Sequence, residues 1–365
     1  MAADLVISLT ADRCEGRNPV HNRLKMYDLS ATEAGKLGVL HLGRFYERSL
    51  SQRRGIRIEL TEEDLRFDKI VLSGLRLPLE LTIRYLNEQD PTFAEFEKWI
   101  IAINGGRVEP SAIQRINRAL SGRPWDEETS GLLERVDANK DVLTAEDLRF
   151  WEKNGYVIVK EAVSREDAQA AQKAVWEFLG MSPENPSSWY ENPIGKGIMT
   201  ELYHHPALSR TRRSLRIHKA FAQIWNTSDL WMTVDRTSFN PPENERYQFQ
   251  GPRLHWDMSL APPHYFGTQG ILYLCDTAID QGAFSCVPGF QNELESWLAS
   301  LPLGKDPRQV ELDDKAQCVP ASAGDLIIWH QALPHGSSPN LRDYPRIAQY
   351  INMFPLDHRE NLTWH

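Results

Sequence analysis

Three side chains set the chemistry this sequence can carry. His255 and Asp257 flank Trp256. On an extended strand, residues i and i+2 project from the same face, so one imidazole nitrogen and one carboxylate oxygen reach the same ion. A third ligand has to come from elsewhere. His335, in LPHGSSPN, follows a strand-like run far along the chain and is the best placed; His330 is its only competitor. Two histidines and one carboxylate form the facial set that holds non-haem Fe(II) and leaves coordination positions open. An H-x-D alone is weak, because surface His and Asp are common. Arg346 adds weight: it opens the apolar run RIAQYINMF, 346 − 335 = 11 residues after His335. An arginine in a β wall is costly unless an anion meets it, and its planar fork suits a carboxylate. A salt bridge to a neighbouring aspartate is the structural alternative.

The elements that would position these groups lie in two regions. In residues 21–122, helix signals recur without strands. Ser30 and Glu33 form a capping box, as do Thr61 and Asp64. Leu79, Leu81, Ile83 and Leu86 belong to a third helix. Asp90-Pro91 reads as an N-cap and first helical residue, with a stop at Gly105-Gly106, and Pro110 opens a helix ending near Ser121-Gly122. Residues 1–20 look irregular. The polar segment 122–141 reads as a domain boundary, dividing a helical region, 1–140, from a second unit, 141–365. There Thr144 and Asp147 cap a helix ending at Gly155, Tyr156–Val159 is a strand, and Ser164 and Asp167 start a helix running to Leu179-Gly180. Strand-like runs follow at 230–239, 270–276, 283–288, 317–322, 325–329 and 346–354. Short strands separated by Gly and Pro turns indicate a β-sandwich or jelly roll, and the whole is α+β.

Composition sets the limits. The 365 residues carry 41 basic and 50 acidic side chains, a formal charge of −9, which argues against a broad nucleic-acid surface. No apolar run reaches membrane-spanning length, and the N-terminus lacks a basic start before an apolar core. Cys14, Cys275, Cys286 and Cys318 form no CxxC pair, so reduced thiols and a cytoplasmic location are expected.

From about residue 144 to 356 the sequence resembles the phytanoyl-CoA dioxygenase (PhyH-like) family of Fe(II)/2-oxoglutarate-dependent oxygenases. Matching features follow in order: FWEKNGYVIVKEAVSRED, His255-Trp256-Asp257, AIDQGAFSCVPGFQ, AGDLIIW, HGSSPN and Pro345-Arg346. Gln281 stands where the family usually has Asn, and Phe290-Gln291 where it has Ser-His. The resemblance implies a double-stranded β-helix (jelly-roll, cupin-like) in which His255, Asp257 and His335 hold Fe(II). It implies that Arg346 grips the distal carboxylate of 2-oxoglutarate, that Ser337 hydrogen-bonds this cosubstrate and that Tyr273 flanks it. With dioxygen as second cosubstrate, such an enzyme releases succinate and CO2 and oxidises an unactivated C–H bond of a small-molecule, natural-product, acyl or carrier-bound substrate. Hydroxylation is the expected outcome; desaturation, epimerisation or ring closure are the alternatives. Related halogenases lack the carboxylate that Asp257 supplies. A non-catalytic metal- or ligand-binding module is the reading from another class.

Other residues have a structural reading beside a functional one. Trp256, Arg236, Asn240 and Phe266 are candidates for the substrate wall, with Trp225, Trp231 and Asp235 behind them; each could equally be core or outward-facing. Arg210, Arg212, Arg213, Arg216 and Lys219 form a basic run that could hold the phosphates of a CoA or carrier arm, or could be paired locally. His204, His205 and His264 read as structural, and Cys275 and Cys286 as buried thiols. The helical region has three open roles: covering the barrel mouth, forming a homodimer, or recognising a carrier.

Overall fold

The computed structural model describes residues 34–56, 58–191, 197–251 and 253–363, so the Ser30–Glu33 capping box lies outside the described residues. Five helices open the chain: α1 (Leu42–Arg53), α2 (Glu62–Gly74), α3 (Leu79–Gln89), α4 (Phe93–Ile103) and α5 (Pro110–Ser121). The Thr61–Asp64 box forms as expected. At α4 the cap differs from the sequence reading. Thr92 is the N-cap and exchanges hydrogen bonds with Glu95, whereas Asp90 takes a left-handed conformation and ends α3. A Thr-x-x-Glu box satisfies two orphan N–H groups reciprocally and so outcompetes a lone Asp. The helices bury Leu42, Phe45, Ile70, Val71, Leu86, Phe96, Ile100 and Ile116 against one another.

Segment 122–141 contains a sixth helix, α6 (Glu127–Ala138), capped by Asp126, which accepts from the Thr129 N–H at 2.8 Å. Its polar composition reflects a solvated face; Val136 alone is a fully buried apolar anchor. Next come α7 (Ala145–Asn154), β1 (Tyr156–Val159), α8 (Arg165–Leu179), β2 (Met199–Thr200), α9 (Pro206–Arg212) and α10 (Leu215–Trp225). The rest is mainly strand: β3 (Leu230–Met232), β4 (Thr237–Asn240), β5 (Thr268–Tyr273), β6 (Phe284–Cys286), a helix α11 (Leu294–Ser300), β7 (Gln317–Val319), β8 (Leu326–His330), β9 (His335–Ser337), β10 (Arg346–Tyr350) and β11 (Met353–Pro355). The runs 230–239 and 346–354 each split in two, at 233–236 and 351–352.

All strand pairings are antiparallel. Six strands form one sheet in the order β1-β8-β5-β10-β4-β2, three form a second, β7-β6-β9, and β11 pairs with β3. Alternation divides the large sheet cleanly. Leu272, Leu326, Ile328 and Ile347 pack on the helix side with Val175 and Phe221. Ile271, Tyr273, Ile327, Trp329 and Ala348 face the small sheet and meet Phe284, Cys286 and Val319. The β3–β11 pair carries the N-terminal helices, because Trp231 and Phe354 enter their core. Among the described residues no helix is long and apolar enough to cross a membrane, and Cys275, Cys286 and Cys318 are free thiols.

Candidate metal centre

His255 stands opposite His335, the first residue of β9, in an isolated antiparallel bridge. This bridge brings the first histidine, and Asp257 two residues on, to the second. The ligand-type atoms of His255, Asp257 and His335 lie within 4.8 Å of one another. His255 Nε2 is 3.5 Å from Asp257 Oδ1, and His335 Nε2 is 3.3 Å from Asp257 Oδ2. Each imidazole points its Nδ1 at a backbone carbonyl: that of Arg253 at 2.7 Å and that of Leu333 at 3.0 Å. A carbonyl only accepts, so Nδ1 carries the proton and the Nε2 lone pair is left facing Asp257. Two such nitrogens and one carboxylate suit Fe(II) with open positions beside them. The side chains of His255 and Asp257 keep 28% and 32% exposure against 6% for His335, so the cluster opens to solvent on the His255–Asp257 side.

A second layer of side chains orients the first. Gln269 Nε2 donates to Asp257 Oδ2 at 2.7 Å, and Gln269 Oε1 accepts from Trp329 Nε1 at 3.0 Å. The indole is a donor only, so it fixes which end of the amide meets Asp257. Burial would raise the Asp257 carboxyl; when the two imidazoles also carry a proton on Nε2, their hydrogen bonds and charge instead hold it well below the usual carboxylate range. Arg308 donates to the carbonyls of Trp256 and Met258 at 2.9 and 2.6 Å and clamps the ligand-bearing segment. Neither Gln269 nor Arg308 carries a motif signal in the sequence.

Arg346 is fully buried. Its Nε donates to the Gly282 carbonyl at 2.8 Å, Nη1 to Ser238 Oγ at 2.5 Å and Nη2 to Ser337 Oγ at 2.8 Å. These three bonds use three of its five N–H groups, all on neutral acceptors. Among the described residues it makes no ion pair, so the salt bridge considered from the sequence is not there. Ser337 lies two residues past His335 on β9 and therefore shares its face. Arg346 and the triad thus line the same space between the two sheets.

The other sequence candidates divide. Ser337 accepts from Arg346. Asn240 pairs with Arg346 in strand register, donates to the Ser338 carbonyl at 3.1 Å, and has an Oδ1 without a partner. Tyr273 is buried in the same interior, but its hydroxyl donates to the Val319 carbonyl and accepts from the Phe284 N–H, at 3.0 and 2.8 Å. It braces β5 against the small sheet. Trp256 differs from expectation: it lies between His255 and Asp257 and so points away from them, into Phe290 and Trp297, with its indole on the Ala332 carbonyl at 2.9 Å. Phe266 also differs. It packs edge-on against Trp225 and His330 at 4.5 and 5.1 Å, on the opposite side of β8 from Trp329. Trp231 belongs to the helical core. Arg236 forms an ion pair with Glu80 of α3. His330 accepts from the Ala332 N–H and is no ligand; burial lowers it to about 4.

The basic run is mostly spent on local partners. Arg210 meets Asp167 at 3.3 Å, Arg212 donates to the Tyr203 and Asp235 carbonyls, Arg216 to that of Lys160, and Lys219 meets Asp141 at 3.5 Å. No joint phosphate cradle results.

No curated protein matches the chain. Solved structures that the chain is similar to include HygX from Streptomyces hygroscopicus with nickel and 2-oxoglutarate bound, 16% identical, covering 60% of this chain and 89% of that one with a TM-score of 0.44. They also include the non-heme alpha ketoglutarate dependent carbocyclase SnoK from nogalamycin biosynthesis (17% identical, 60% and 88% covered, TM-score 0.42). The epimerase SnoN of the same biosynthesis is a further one, at 15% identity, 57% and 81% coverage and a TM-score of 0.41. The family model for phytanoyl-CoA dioxygenase (PhyH) matches residues 151–348, more than half of the sequence and the stretch that holds all three ligand candidates and Arg346, and the chain belongs to that family.

Proposed function

We propose that the protein is an Fe(II)- and 2-oxoglutarate-dependent oxygenase that hydroxylates an unactivated C–H bond of a small-molecule, natural-product or acyl substrate. One observation carries the reading: a fully buried arginine with no anionic partner among the described residues, bonded to Ser337 on the face that also presents His335. A buried guanidinium without a counter-charge is expensive. A dicarboxylate held at the triad by its 2-oxo acid end would supply that charge with its other carboxylate.

The residues take distinct roles. His255, Asp257 and His335 would hold the ion, and Gln269 keeps the Asp257 oxygens turned toward it. Arg346, steadied by Ser238, Ser337 and the Gly282 carbonyl, would bind the distal carboxylate through its two remaining N–H groups. Phe284 and Trp329 flank His335 at ring-centroid distances of 6.3 and 5.0 Å and keep water from that side. When bound, the iron supplies dioxygen activation coupled to decarboxylation of the cosubstrate to succinate and CO2. The two facing sheets correspond in this reading to the halves of a double-stranded β-helix, with residues 141–365 as the catalytic unit and the helical region against it.

Anaerobic titration of the apoprotein with Fe(II) and then 2-oxoglutarate tests the reading through the visible metal-to-ligand charge-transfer band. The band should appear in the wild type, vanish in His335→Ala and require far more 2-oxoglutarate in Arg346→Ala. A folded wild type that gives no band sinks the proposal.

A further inference from the structure

Gln269, Tyr350 and Arg236 share the face of the large sheet that carries Arg346. Tyr350 stands opposite Ile271 in the β10–β5 register. Gln269 is then its diagonal neighbour on that face, with Cβ atoms about 7 Å apart. Gln269 is the residue that holds Asp257, by its 2.7 Å bond. On the other side, the Tyr350 N–H donates to the Arg236 carbonyl at 3.0 Å. Arg236 lies two residues before Ser238, whose hydroxyl meets Arg346, so alternation keeps it on this face and sends Asp235 to the helix-facing side. Continuing the β2–β4 register sets Glu201 beside Arg236. Across four strands the row therefore reads Ile271, Tyr350, Arg236, Glu201.

The two tyrosines of this face differ. The Tyr273 hydroxyl is used twice, on the Val319 carbonyl and the Phe284 N–H. Tyr350 is only partly buried, and its hydroxyl meets no partner among the described residues. It thus lines a space, on the side of the triad where Asp257 keeps 32% exposure. The helical region closes the far end of the row. Glu80 and Arg84 lie four residues apart on α3 and share one face of it. Glu80 pairs with Arg236, and Arg84 donates to both carboxylate oxygens of Glu201, at 2.5 and 2.7 Å. These four charges pair off, which leaves the Tyr350 hydroxyl as the open polar group of the row.

We propose that the substrate site is shared between the two regions: α3 walls the side of the triad that Tyr350 lines, and the Tyr350 side chain touches the substrate there. The proposal rests on the oxygenase reading above. A tyrosine ring offers rigid apolar area with a hydroxyl at its tip, so one side chain both packs against a carbon skeleton and orients it.

The contact is tested on the full chain with Fe(II), 2-oxoglutarate and oxygen but no substrate, where only the protein is left to oxidise. One oxygen atom enters succinate as CO2 leaves; the other converts a ring C–H of Tyr350 to C–OH. Peptide mass spectrometry should find one added oxygen at Tyr350, and none when 2-oxoglutarate is omitted. Addition confined to other residues overturns the contact. The wall is tested without turnover, by anaerobic extraction of bound Fe(II) with ferrozine in the range where the rate still rises with ferrozine. Extraction should be about five-fold faster or more in the double variant Glu80→Gln, Arg84→Gln, with circular dichroism unchanged, and unaltered in Tyr350→Phe. An equal rate in the double variant overturns the wall. Absence of the charge-transfer band in the wild type fails the oxygenase reading itself; a band with oxygen placed elsewhere fails this inference alone.

Discussion

His255 and His335 exchange backbone hydrogen bonds of 2.9 and 3.0 Å across a single bridge, so the main chain holds the two imidazoles together before any ion arrives. Their Nδ1 bonds to the Arg253 and Leu333 carbonyls fix both rings independently of a metal. The expected outcome of metal removal is therefore loss of the ion without loss of fold. Chelator treatment should leave the far-ultraviolet circular dichroism unchanged and lower the Tm only through mass action. Unfolding of the apoprotein, as in small domains whose structure depends on zinc, would contradict a preformed site.

Gln269 separates a positioning role from a packing one. Gln269→Leu keeps the volume but removes the 2.7 Å bond to Asp257 and leaves the Trp329 indole N–H unmet. Orienting partners of this kind are worth about 10–100-fold in metal affinity. Fe(II) titration should show a weakening in that range, whereas Gln269→Glu, which keeps an acceptor for Trp329 but sets a second carboxylate against Asp257, should weaken the site further. Equal affinities in all three proteins would remove Gln269 from the metal site.

Arg346 gives a stability signature. If its free N–H groups bind the cosubstrate, 2-oxoglutarate at 100 times its Kd stabilises the folded state by about 2.7 kcal/mol through mass action. Thermal unfolding of the Fe(II)-loaded protein with and without 2-oxoglutarate measures this. Arg346→Lys should lose most of the shift, because one ammonium cannot reproduce bonds to Gly282, Ser238 and Ser337 and still present a fork. A full shift in the lysine variant would mean the cosubstrate is held elsewhere.

What the sequence disclosed, and what it hid, follows from the range of each signal. Capping boxes are local: Thr61–Asp64 and Thr144–Asp147 were readable because both partners lie three residues apart. For α6 the signal was weaker, a lone N-cap Asp126 ahead of Glu127 and Glu128, masked by the polar composition around it. Period-two alternation placed His255 and Asp257 on one face; the same rule sends Trp256 the other way, so its inward role could have been foreseen. Gln269, Ser238, Gly282 and Arg308 could not, because each acts on a residue brought close only by strand register or loop closure. Phe266 and Arg236 were misleading for the same reason: their partners, Trp225 with His330 and Glu80, come from distant segments.

Gly282 links loop conformation to the setting of Arg346. It has a φ of +66°, and a Cβ added there would lie 2.2 Å from Asn240 Nδ2. Its carbonyl also accepts from Arg346 Nε at 2.8 Å. Gly282→Ala should cost about 1–3 kcal/mol from the left-handed backbone alone. It should also raise the 2-oxoglutarate requirement, since displacing Asn240 or the loop moves the carbonyl that aims Arg346. Denaturant melts and the charge-transfer titration read the two effects separately; a stability loss with unchanged cosubstrate demand would confine Gly282 to the loop.

His41 predicts an acid sensitivity in the helical region. It is 2% exposed, with Nε2 on Asp68 at 2.9 Å and Nδ1 without a hydrogen bond. Burial, and after it the Arg48 charge, lowers it to about 4. The unfolded chain takes up this proton near its ordinary value of about 6.5, the folded chain only near 4. Its contribution is therefore complete above about pH 6.5 and is lost as pH falls toward 4, amounting to about 2 kcal/mol by pH 5. Burial likewise lowers His204 and His330 to about 4 and His358 to about 3, so the whole protein should weaken in the same window. His41→Gln keeps a donor toward Asp68 and has no proton to gain. Urea midpoints at pH 7.5 and pH 5 should fall less in the variant than in the wild type; an identical fall would show that His41 does not remain neutral in the fold.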